Sequence, residues 1–204
     1  MEHGDKNHWE HVYTSKPEEM LSWHEDVPAL SLELIRQYAK PGSVIDIGGG
    51  SSTLAGMLVE AGFSPCAVLD ISTAALERAK SRLEPSISAK IDWRVADLLS
   101  EPDLPPFDIW HDRAVFHFLV DPLQRAAYRA LAARTVPSGG LLILSTFGLH
   151  GPEKCSGLPV QRYDPGSLAK QFEHSFSLKK DVVAQHSTPW GAAQPFLYVV
   201  MNRL

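Results

Sequence analysis

The 204 residues are the length of one domain, and 44% apolar residues are enough to bury a core without disulfides or metal. With 19 Lys and Arg against 24 Asp and Glu, the net charge is −5, and no basic run is present, which argues against nucleic acid or an anionic lipid surface as partner. The two cysteines, Cys66 and Cys155, form no CxxC, so neither a zinc ribbon nor a disulfide scaffold is expected and a reducing cytosol suits the chain.

Met1 to Lys6 has no basic region followed by an apolar one, and no stretch approaches about 18 apolar residues. A cytoplasmic protein without signal or membrane span is therefore expected. The first 40 residues carry Trp9, Tyr13 and Trp23 among polar neighbours, and Pro28 to Ala39 has the helical spacing Leu30, Leu34, Ile35, Tyr38. Pro41 and Gly42 stop that helix. An alternation follows. Strands are predicted at 43–47, 66–71, 91–95, 107–110 and 141–146. Helices are predicted at 51–61, 73–83 (capped by Ser72), 122–135 and 165–174. Glu101 to Pro106, with three prolines, is a loop. The last two strands, 177–183 and 196–201, have no helix between them.

Strands alternating with helices require parallel pairing. The predicted fold is a doubly wound, Rossmann-like α/β domain. It has seven strands, mostly parallel, a C-terminal antiparallel β-hairpin and helices on both faces. Residues 1–204 read as a single domain, with 1–40 as a segment covering the site and 41–204 as the core.

In such a sheet ligands bind beyond the carboxyl ends of the strands. The loop after the first strand reads Asp46-Ile47-Gly48-Gly49-Gly50-Ser51-Ser52-Thr53. The third glycine of a dinucleotide fingerprint is replaced by Thr53, which disfavours a nicotinamide oxidoreductase. No lysine completes a phosphate-binding loop either. The acid two residues before the glycines, Asp46, suits a ligand with a cationic end, such as an amino acid's amine. Asp70 stands at the tip of the second strand, about 20 residues on, with Ile71 beside it, where an acid can accept both ribose hydroxyls.

This pattern resembles the class I S-adenosylmethionine-dependent methyltransferases over about residues 40–150. The resemblance implies S-adenosyl-L-methionine as cofactor, held by Asp46, Gly48, Gly49, Gly50, Asp70 and Ile71. It makes Asp97 and Leu98 the adenine-binding pair, the carboxylate taking the exocyclic amine and the apolar neighbour packing the ring. Phe107 to Asp112 matches the segment of the fourth strand, with Asp112 and Arg113 beside the cofactor, and Pro137 to Gly140 matches the turn before the fifth. His8 to Tyr13 and Ser22-Trp23 are similar to the lead-in of the methyltransferase-like lysine methyltransferases of elongation factors and citrate synthase. Their Asp-Lys-Gly-Thr segment is here Asp112-Arg113-Ala114-Val115. The resemblance leaves a protein lysine and a small-molecule N, O or S nucleophile both open as methyl acceptor. A non-catalytic binding module is the third alternative.

Trp9, Tyr13 and Trp23 read as a lid that excludes water from the cofactor. Asp112 and His117 are the candidates for taking a proton from the acceptor. His117 lies on an apolar run, Val115 to Leu119, and reads equally as a core histidine. The expected acceptor walls are 112–117, 147–162 and 186–194. Cys155, His150, His174 and His186 lack ligand spacing, so no metal is expected. Cys66, in a buried strand, should be inert.

Overall fold

The computed structural model describes residues 4–100 and 102–204. Met1 to His3, at the head of the expected leaderless N-terminus, and Glu101, at the head of the expected loop, lie outside the described residues. The elements in order are α1 (Lys6–Ser15), α2 (Ala29–Tyr38), β1 (Val44–Ile47), α3 (Leu54–Glu60), β2 (Cys66–Asp70), α4 (Thr73–Ser81), α5 (Pro85–Ser88) and β3 (Ile91–Val95). They continue with β4 (Ile109–Arg113), α6 (Pro122–Thr135), β5 (Leu141–Phe147), β6 (Lys154–Cys155), β7 (Leu158–Pro159), α7 (Pro165–Phe172), β8 (Phe176–Ser187) and β9 (Ala193–Arg203).

Seven strands form one sheet in the order β3-β2-β1-β4-β5-β9-β8. The first five are parallel, and β9 runs antiparallel to both β5 and β8. The predicted architecture is thus the observed one. Every residue of β1, β2 and β5 is buried, as central parallel strands covered on both faces must be. On one face α6 and α7 pack Tyr128, Leu131, Leu168 and Phe172 against Ile45, Ile47, Trp110, Leu142 and Leu144. On the other, α2 and α3 pack Leu34, Ile35, Leu54 and Leu58 against Val44, Val68, Ile109 and Ile143. Among the described residues no helix is long and apolar enough to cross a membrane.

Several boundaries differ from expectation, three of them for the following local reasons. α3 begins at Leu54 and not Ser51, because Gly48 and Gly50 take φ of +59° and +57° and a turn from Gly49 to Ser52 follows. β4 begins at Ile109 and not Phe107, because the Asp108 carboxylate is used to accept from the Ser43 amide (2.9 Å) and hydroxyl (2.7 Å). The C-terminal hairpin is longer than its apolar core, with pairing extending out to Ser187 and Ala193 through polar residues.

Residues 4–40 are pinned across the C-terminal ends of β1, β2 and β4. The Glu10 carboxylate accepts from the Ser72 hydroxyl (2.7 Å) and the Ala74 amide (3.2 Å), both at the start of α4, where a negative charge meets free N–H groups. Glu18 pairs with Arg82, which also donates to the Ser51 carbonyl (3.0 Å). Arg113, at the end of β4, donates to the Trp23 carbonyl (2.9 Å) and pairs with Glu25 (2.9 Å). His186 Nε2 lies 2.7 Å from the Ser22 carbonyl, and its Nδ1 lies 3.3 Å from Glu25. Burial works against the Glu25 charge, but His186 and Arg113 outweigh it and hold the carboxyl below its usual range.

Arg113 is the most shared of these anchors. Hydrogen bonds to charged groups are worth about 1.5–3 kcal/mol. Arg113→Gln should therefore free the segment from Leu21 to Asp26 and speed its amide hydrogen exchange at least tenfold, with exchange in β5 unchanged. Unaltered exchange in that segment would contradict the anchoring role.

Candidate active site

Two hollows flank the glycine turn at the ends of β1, β2 and β4. The larger, about 120 Å³, is bordered by Gly48, Asp70, Ile71 and Asp97 on one side and by Trp9, Tyr13 and Trp23 on another. Gly4, Leu69, Arg113, Ala114, Val115, Phe118, Leu119, Cys155 and Phe196 complete it. The smaller, about 50 Å³, touches Asp46, Gly48, Gly49, Ser31, His111 and Arg113.

Asp70 is 6% exposed and sits at the end of β2. One oxygen accepts from the Gly50 amide (2.9 Å) and the other from the Ser72 amide (2.8 Å). Burial pushes this carboxyl up to about 6, even though the two amides pull the other way. Asp97, half-buried, accepts from the Leu99 amide (2.8 Å). A carboxylate has about four acceptor positions, so both keep capacity toward the hollow. The glycines fit tightly. A Cβ on Gly48 would lie 2.0 Å from Val115 Cγ2, and one on Gly50 would lie 2.3 Å from the Tyr13 hydroxyl. The three aromatics pack edge to face, with Trp9 on Phe118 (5.0 Å) and on Trp23 (6.0 Å), and Tyr13 on Trp23 (6.2 Å).

Not every expected residue reaches this hollow. Gly50 lines neither hollow and acts through its amide on Asp70. Leu98 is turned into the main core with Ile47 and Leu69, so the apolar wall beside Asp70 comes from Ile71 instead. Asp112 is fully buried on the opposite face of the sheet. Strand side chains alternate, so Trp110 and Asp112 point toward α6 while His111 and Arg113 point toward the site. The Asp112 carboxylate accepts from the Val115 amide (2.7 Å), the Phe116 amide (3.1 Å) and the Tyr128 hydroxyl (2.6 Å). Tyr128 in turn accepts from Trp110 Nε1 (2.8 Å). Burial pushes Asp112 up to about 7 against those donors. It braces the turn after β4, where Ala114 takes a φ of +75°, and does not touch the cavity.

His117 is also fully buried, between Phe118 and Phe147, with the Phe147 amide directed at its Nδ1 (3.4 Å). Burial, aided by the charge on Arg113, pushes its imidazole down to about 3, so it is neutral and away from the hollow. Of the expected acceptor walls, 112–117 contributes Arg113, Ala114 and Val115, and 147–162 contributes Cys155. None of 186–194 lines the hollow; His186 anchors the N-terminal segment and Phe196 supplies the wall. Burial raises both Cys66 and Cys155 to about 11, so neither thiol is activated.

Asp112 and Tyr128 are therefore bracing residues. Tyr128→Phe strips a partner from both Trp110 Nε1 and Asp112, each at about 1–3 kcal/mol for a buried unpaired group. The urea midpoint should fall by the equivalent of about 2–4 kcal/mol. An unchanged midpoint would mean that this network carries no stability.

Residues 44–139 match the family described as "Methyltransferase domain". No curated protein matches the chain significantly in sequence. Solved structures share the fold at low identity. A SAM-dependent methyltransferase from Anabaena variabilis superposes with a TM-score of 0.74 at 16% identity, over 98% of this chain and 95% of that one. The N-methyltransferase NodS from Bradyrhizobium japonicum, complexed with S-adenosyl-l-homocysteine, gives 0.69 at 15% over 96% and 98%. The Burkholderia thailandensis 1,6-didemethyltoxoflavin-N1-methyltransferase gives 0.69 at 15% over 94% and 80%. Residues 44–139 thus match a methyltransferase domain, and the whole chain shares its fold with solved S-adenosylmethionine-dependent methyltransferases.

Proposed function

We propose that the enzyme methylates a small-molecule nucleophile from S-adenosylmethionine, with the cofactor lying along Gly48, Asp70 and Asp97. The observation that carries this is the pair of carboxylates at successive strand ends in the wall of one hollow, beside a turn with no room for a Cβ. When bound, S-adenosylmethionine supplies an electrophilic methyl group on a sulfonium.

The chain's own residues do the rest. Asp70 accepts from the ribose hydroxyls with the positions its two amides leave free. Asp97 accepts from the adenine amine, and Ile71 packs on the ring. Asp46, behind Gly48 and Gly49, faces the ammonium end. Trp9, Tyr13 and Trp23 cover the hollow and keep water out, as displacement at a methyl carbon needs the nucleophile in line at about 3–3.5 Å. Residues 1–204 work as one cytoplasmic domain, with 1–40 as its cover.

The acceptor side is apolar: Val115, Phe118, Leu119, Phe196 and Cys155. Among the described residues its one cation, Arg113, is paired with Glu25. Asp112 and His117 are buried elsewhere, so no general base reaches the acceptor from either. A lysine acceptor, with a pKa of about 10.4, would need such a base. A small apolar N, O or S nucleophile that reacts without losing a proton to the enzyme suits the walls better. The 1,6-didemethyltoxoflavin-N1-methyltransferase of the same fold, solved with 1,6-didemethyltoxoflavin bound, supports a small acceptor. Protein lysine methylation remains the second reading, favoured by the Trp9-to-Tyr13 motif. Turnover to S-adenosylhomocysteine separates both from a binding module.

Asp70→Ala should weaken S-adenosylmethionine at least tenfold by calorimetric titration in a folded variant; unchanged affinity would remove the ribose assignment. Asp70 must be ionised to serve both hydroxyls, and burial has raised it to about 6. Wild-type affinity should therefore be level above about pH 7 and fall as the pH drops through 6. An affinity flat from pH 5 to 8 would contradict it.

A further inference from the structure

Asp46 and His111 are direct neighbours across β1 and β4, so their side chains leave the sheet on the same face. His111 Nδ1 lies 2.7 Å from Asp46 Oδ1, and Nε2 lies 2.9 Å from the Ser31 hydroxyl. A carboxylate only accepts, so Nδ1 carries the proton shared with Asp46, while Nε2 is held at the Ser31 hydroxyl, which can donate or accept. All three residues are almost sealed, at 3%, 2% and 1% exposure. The same residue types serve elsewhere as nucleophile, base and orienter. Here the three side chains are turned to one another, and the hollow beside them, about 50 Å³, is less than half the size of the one walled by Asp70 and Asp97.

The charges around that hollow point to another use. Glu18 is matched by Arg82, and Glu25 by Arg113. Asp46 meets only the His111 imidazole, through Oδ1. Its second oxygen, Oδ2, faces the glycine turn, 2.8 Å from where a Gly49 Cβ would stand, and no described residue donates to it. An acceptor oxygen left open toward a ligand hollow suits a donor that the ligand brings, and an ammonium offers three N–H groups.

We propose that His111 is a positioning residue: held by Ser31, it fixes Asp46 so that Oδ2 receives the ammonium of the cofactor's amino-acid end. The chain thereby selects adenosyl ligands that carry that ammonium. This rests on the cofactor reading above. Ser31 belongs to α2, within the first 40 residues, so the same chain of hydrogen bonds ties the cover to the group that reads the ligand's charge.

The test is calorimetric titration with S-adenosylhomocysteine and with its desamino analogue, which lacks only the ammonium. Wild type should prefer the former at least thirtyfold. His111→Phe should cut that preference at least tenfold while leaving affinity for the desamino analogue within about twofold. His111→Asn, whose side-chain N–H stands where Nδ1–H does, should recover most of it. Ser31→Ala should cut the preference about threefold, and it tests the chain of contacts should His111→Phe fail to fold. An unchanged preference in the His111 and Ser31 variants, or equal loss for both ligands, would overturn the proposal. Wild type binding neither ligand would overturn the cofactor reading itself, and this proposal with it.

Discussion

The parallel pairing of β1 with β4 is the constraint on which the site depends. It sets Asp46 beside His111 and Ile47 beside Asp112. Because side chains alternate along a strand, that single register sends one acid to the glycine turn and the other into the core. A slip of one residue would exchange them, leaving Asp46 among the apolar residues under α6 and Asp112 in the site. On the cofactor reading proposed above, register bears on function as much as on packing.

The second requirement is the cover. A hollow at the ends of parallel strands is open to water unless another element closes it. Residues 4–40 close it with aromatic rings and hold themselves there by polar contacts to α4, to Arg113 and to His186. Each contact joins side chains or carbonyls to a different part of the sheet. The N-terminal segment is thus fixed at several points along its length, and helix packing supplies only part of its hold. That suits a reaction whose demands are alignment and dryness, with no oxyanion to stabilise.

The strand and helix alternation was legible because apolar runs bounded by glycine and proline carry it directly. That Asp70 and Asp97 would share one hollow was legible for a related reason: in a doubly wound sheet, residues that follow successive strands converge at one edge whatever their separation in sequence. Asp112 was misjudged because β4 was expected to end at Trp110. Its true span, to Arg113, puts Asp112 inside the strand, where alternation assigns it to the opposite face from Arg113. His111 could not be singled out, since its partner is set by register between strands 65 residues apart. The same holds for His186, which reaches Ser22 across 164 residues of sequence and so leaves no local pattern. Leu98 followed Asp97 as family resemblance implied, but the backbone turns there into a short 3-10 helix and carries it inward.

The most direct test is a thermal-shift comparison of wild type with S-adenosylhomocysteine and with NAD. A ligand at about 100 times its dissociation constant adds about 2.7 kcal/mol of stability, readily seen as a rise in Tm. Stabilisation by S-adenosylhomocysteine and none by NAD is the predicted result. Stabilisation by NAD alone, or by neither, would contradict the assignment of the glycine turn, Asp70 and Asp97 to an adenosyl cofactor.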